Sequence, residues 1–138
     1  MNAIEKAKAA NPVTPEISRA AHALRKEIAE AYEVPTKFVS YKDCLAVELG
    51  RIKRDAVRNC FGYKINSRAS QVHRTLLCDP MTPTFMFAKD IAEMVNQPLK
   101  FVRRQFFLLQ RKGIMINRDG LWNIKMDERP FPQPLGEV

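Results

Sequence analysis

The stretch FMFAKDIAEMVNQPLKFVRRQFFLLQRKGIMINRDGLWNIK, residues 85–125, decides how this chain is read. AKDIAEMV has the spacing of a short helix whose Ile91, Ala92 and Val95 face inward. Ala92 is small, which suits a place where two helices cross closely. Asn96 tolerates the left-handed backbone common at helix ends, and Pro98 begins a second helix a few residues later. On that helix Val102, Phe106 and Leu109 recur at four and three residues, one buried stripe, and Gly113 terminates it. IMINRDGLWNIK then reads as a hairpin, because Asp119-Gly120 is a tight-turn pair between strand-like residues. Ile114, Ile116, Trp122 and Ile124 are the positions expected to tie it to the core.

The intervals Ala92 to Val102, Val102 to Phe106, Phe106 to Leu109 and Leu109 to Gly113, followed by a hairpin, resemble the winged helix-turn-helix family of DNA-binding domains. A helix beginning at Ser67, with Val72, Leu76 and Leu77 inward, and the short apolar Phe85-Met86-Phe87 stand where that family has its first helix and first strand. The resemblance covers residues 67–126. It implies a recognition helix over 98–112 in the major groove of double-stranded DNA and a short wing over 114–125 on the flanking backbone. Lys100, Arg103 and Arg104 lie in the N-terminal half of that helix, away from the buried stripe. The resemblance implies that Lys100 and Arg103 read base edges while Arg104, Arg111 and Arg118 hold phosphates. Lys89 and Lys112 are backbone contacts or bystanders; Lys112 also complements the helix dipole.

Two features depart from the family pattern. Phe107 and Leu108 occupy positions usually exposed and polar, so they need cover. The N-terminal helices, a second subunit and a protein partner are the candidates, with base stacking by Phe107 as a further use. Gln97 stands where an apolar residue usually anchors the turn.

Charge points the same way. The chain of 138 residues carries a formal +8, unevenly spread. Residues 1–34 hold five basic and five acidic side chains, residues 35–126 seventeen and seven, and the tail from Asp127 one and three. From Pro98 to Arg118 there are six basic residues and no acidic one. A positive field of this kind suits a polyanion such as nucleic acid.

Upstream, a helix starts at Thr14-Pro15-Glu16, by cap, first-turn proline and favourable charge, and ends at Pro35. Ile17, Ala21, Leu24, Ile28 and Ala31 or Tyr32 form its inward face. A second helix is expected over 41–60, closed by Gly62, on Leu45, Leu49, Ile52 and Ala56. Its other side would carry Arg51, Arg54 and Arg58, either a solvated face or an auxiliary phosphate-binding ridge. PTKFVSYKD (35–43) echoes PTFMFAKD (83–90), but the later spacings do not hold and no wing follows Phe61, so a repeat is discounted. CDPMTPT (78–84), with its two prolines, is a loop.

Cys44, Cys60 and Cys78 are an odd count at wide spacing, read as buried free thiols in a reducing compartment, with no metal site. No catalytic motif is recognisable, so no enzyme activity and no cofactor are expected. Nothing resembles a membrane span or a secretory leader, which gives a cytoplasmic expectation. The chain is therefore expected to be mainly α with a small β-hairpin. It would comprise a flexible terminus (1–13), a helical region for packing or dimerisation (14–66), the winged helix-turn-helix (67–126) and a proline-rich tail (127–138). The expected function is sequence-specific binding of double-stranded DNA as a homodimer, in a small transcriptional regulator of a bacterium, phage or plasmid. A replication or packaging DNA-recognition protein, or an adaptor or inhibitor built on the same scaffold and using Phe107 and Leu108 to dock a protein partner, remains open.

Overall fold

Thr14 starts the first helix, α1 (Pro15–Ala31), by accepting the Ile17 N–H on its Oγ1 at 3.2 Å. That satisfies one of the free donors at a helix start, and Pro15 costs nothing there because it has no N–H. The computed structural model describes residues 13–79, 81–83 and 85–124; the first dozen residues, Lys125 and the proline-rich tail lie outside the described residues. The chain divides into two compact units between Ile65 and Asn66, and the described residues are mainly helical with a small three-stranded antiparallel sheet.

In the first unit α1 buries Ala21, Leu24, Ile28 and Ala29; of the alternatives Ala31 and Tyr32, Ala31 is exposed and Tyr32 half-buried. The helix ends at a left-handed Glu33 (φ 55°), and the Val34 N–H returns to the Ala29 carbonyl at 2.9 Å. A 3-10 turn, Thr36–Phe38, then buries Phe38 completely. α2 (Tyr41–Glu48) is capped by Ser40 and packs on α1, where Tyr41 stacks on His22 at 4.5 Å.

Of the helix expected over 41–60, only the first part forms, as α2. α2 stops at Glu48, Gly50 takes φ 73°, and the Arg51 N–H bonds to the Ala46 carbonyl at 2.8 Å. Only glycine enters that backbone region without steric cost, so the helical spacing of Leu45, Leu49, Ile52 and Ala56 is overridden. A single 3-10 turn, Arg54–Ala56, follows. The chain then folds back, with bridges Val39↔Asn59 and Arg58↔Lys64 and an Ile65 N–H bonded to the Val57 carbonyl. Gly62 lies in the turn of this pairing rather than at a helix end, and Asn59 Oδ1 accepts the N–H of Phe61 and of Tyr63. A bridged turn thus spans Phe61, in place of the end of the expected helix.

The second unit follows the sequence closely. α3 (Arg68–Leu77) is capped by Ser67 and buries Val72, His73, Leu76 and Leu77. β1 (Phe85–Met86) leads into α4 (Ala88–Val95), which buries Ala88, Ile91, Ala92 and Val95. Asn96 is left-handed (φ 53°, ψ 48°), and α5 (Leu99–Arg111) begins directly after Pro98. α5 buries Val102, Gln105, Phe106 and Leu109 against α3, α4 and β2. Half-buried Gln97 makes long polar contacts with Gln71 (3.4 Å) and Arg68 (3.5 Å), in place of an apolar anchor.

β2 (Met115–Arg118) and β3 (Leu121–Ile124) form the hairpin, and β1 pairs with β3, giving the order β1-β3-β2. Asp119 (φ 55°) and Gly120 (φ 87°) make a two-residue turn of the mirror-image type that matches strand twist. Met115 sits opposite Ile124, and both are buried. Ile116 pairs with Asn123 on the other face and is only half-buried, so Met115 takes the core position expected for Ile116.

Candidate nucleic-acid interface

The buried stripe of α5 fixes what its opposite side presents. Each helical residue advances about 100°, so the face turned away from Val102, Phe106 and Leu109 carries Lys100, Arg103, Arg104, Phe107 and Arg111. All four cations are exposed, and together with Leu99, Phe107 and Leu108 they line an open groove along the helix. No carboxylate lies within ion-pair distance of these four among the described residues. Their charge is therefore directed to solvent.

A second depression, of about 520 Å³, lies between the start of α4, the outer side of α5 and the hairpin. It brings Lys89 and Arg103 together with Phe87, Phe107, Asn117, Gly120 and Trp122. Phe107 stands on the wall of both depressions. Its ring meets Trp122 edge-on at 5.3 Å, and Trp122 in turn meets buried Phe106 at 5.1 Å. Phe107 nevertheless stays 49% exposed, so the hairpin covers only part of it; Leu108 is half-buried. Arg118 is exposed at the end of β2 and lines neither depression, and Lys112 is exposed at the end of α5.

The three arginines read as an auxiliary ridge do not share a helical face. Arg51 follows α2 and is exposed, whereas Arg54 pairs with Glu27 at 3.0 Å. Arg58 donates through Nε and Nη2 to Asp43, which also accepts the Arg58 backbone N–H at 2.9 Å. These hydrogen bonds hold the Asp43 carboxyl below its ordinary value against the opposing effect of its burial. Two of the three guanidinium groups are thus committed to carboxylates of their own unit.

Two residues of this neighbourhood were not singled out from the sequence. Phe87, immediately before α4, is 53% exposed and faces the cleft. Its only signal is an aromatic residue at an extended helix-entry position. Gln105 lies buried within the apolar stripe of α5 and meets His73 of α3; nothing in the helical period distinguishes it. The thiols also differ from expectation, since Cys44 is buried but Cys60 is exposed and Cys78 intermediate. Among the described residues no group of three His, Cys, Asp or Glu could hold a metal ion, and no helix is long and apolar enough to cross a membrane.

The chain matches no protein-family model, no curated protein and no solved structure.

Proposed function

We propose that the chain is a non-enzymatic, sequence-specific double-stranded DNA-binding protein that uses residues 67–124 as a winged helix-turn-helix. α5 serves as the recognition helix and the β2–β3 hairpin as a short wing. The observation that carries this reading is the contrast among the arginines: those on α5 have no carboxylate partner among the described residues, while Arg54 and Arg58 are neutralised in place. An unpaired cationic stripe along one helix is suited to displacing counterions from a phosphate backbone. The element order helix, strand, helix, helix, hairpin and the strand order β1-β3-β2 support the same reading. Lys100 and Arg103 read base edges, while Arg104, Arg111 and Arg118 hold phosphates, with Lys89 beside them; the biological role is transcriptional regulation.

Fluorescence anisotropy with mixed-sequence duplex DNA tests this. Binding weakens steeply as salt rises, and the double change Arg103→Glu with Arg104→Glu abolishes it. A protein-docking module on the same scaffold is the second reading, favoured by the exposed Phe87 and Phe107. Absence of duplex binding at low salt transfers the assignment to it.

A further inference from the structure

The outward face of α5 is not uniformly cationic. Phe107 lies in its middle, with Arg103 and Arg104 one turn before and Arg111 one turn after. Any ligand that engages those cations on both sides must meet the ring between them. That ring is half exposed and held edge-on by Trp122, itself locked against Phe106. Its orientation is therefore set before binding, and little side-chain freedom is left to lose.

We infer, on the duplex-binding reading above, that Phe107 is a specificity-determining residue whose ring meets the 5-methyl group of a thymine in the major groove. The chemistry selects the methyl group. Bases present hydrogen-bond donors and acceptors along the major groove, and an apolar ring pressed against those leaves them dehydrated and unpaired. The thymine methyl is the apolar feature of that edge, and contact with it removes apolar surface from water on both sides. The preferred duplex thus carries a thymine between the positions contacted by the flanking cations.

The test uses the full chain and a duplex selected from a random library. Each thymine of the selected site is replaced in turn by deoxyuridine, which deletes one methyl group and keeps every hydrogen bond. At one position this replacement weakens wild-type binding about fourfold, the equivalent of one buried methyl. Phe107→Ala, its fold checked by circular dichroism, binds the thymine and deoxyuridine duplexes equally, and Phe107→Leu keeps part of the difference. Equal binding of every deoxyuridine duplex by the wild type overturns the inference while leaving the duplex-binding reading standing. So does a methyl dependence that survives Phe107→Ala, or tighter binding of the separated strands, which would make Phe107 a stacking platform. Failure to bind any duplex overturns both.

Discussion

The imidazole Nε2 of His73 on α3 lies 3.1 Å from the side-chain Oε1 of Gln105 on α5, and both residues are almost fully buried. With the amide oxygen as acceptor, Nε2 is the protonated nitrogen of a neutral ring. This bond joins the first helix of the second unit to the helix carrying the candidate interface.

The cost of burying the imidazole appears in acid. Burial, with a smaller contribution from Lys112, lowers the His73 pKa to about 4 from 6.5, against the opposing effect of its bond to Gln105. As pH falls below 6.5 the unfolded chain gains a proton that the folded chain refuses until about 4. Stability is therefore complete above pH 6.5 and declines between 6.5 and 4, by on the order of 3 kcal/mol. Urea unfolding at pH 7.5 and 4.5 should show this loss, and His73→Gln should remove most of the difference. Equal wild-type stability at both values would exclude His73 as its source.

Asp43 behaves oppositely. Its pKa is held below 3.8, chiefly by Arg58, so its stabilising effect is present above 3.8 and disappears as pH falls through its folded value. Asp43→Asn should lower the melting temperature by a few degrees at pH 7, with a smaller gap from wild type in strong acid. A gap that persists undiminished there would point to shape, not charge.

Trp122 stands between Phe106 and Phe107 and is buried. Trp122→Ala should cost about 3–5 kcal/mol in chemical denaturation, and Trp122→Phe distinctly less. A loss under about 1 kcal/mol would mean that the hairpin is held by something other than this stack.

At the hairpin tip both turn residues have positive φ, and the Gly120 N–H donates to Asn117 Oδ1 at 2.9 Å. Gly120→Ala meets no neighbouring atom but must adopt left-handed backbone, at a cost of about 1–2 kcal/mol. Asp119→Asn keeps the turn and removes the negative charge next to Arg118. Duplex affinity should then rise about two- to threefold at low salt, with the gain fading at high salt. Unchanged affinity would remove Arg118 from the interface.

Much of the second unit was legible because its signals are local. Asn96, Gly113 and Asp119-Gly120 fix the backbone where they stand, and Ser67 satisfies donors three residues ahead. The stripe Val102, Phe106, Leu109 determines by period alone which side of α5 is left outside. The same period places Arg103 and Arg104 on the exposed face. Ile116 was misplaced because alternation within a strand gives two faces without saying which one packs.

The caps, the turn, the helical stripes and the cationic face of α5 follow from local sequence, since each depends on residues within a turn or two of one another. It takes the folded chain to bring residues 54–65 back towards Val39 instead of extending α2, and to give Arg58 to Asp43. Folding likewise joins His73 to Gln105 and leans Phe107 on Trp122 without covering it. Those outcomes depend on partners 15 to 32 positions away, whose approach is set by packing. Periodicity records which side of an element is apolar; it does not record what the other side will meet.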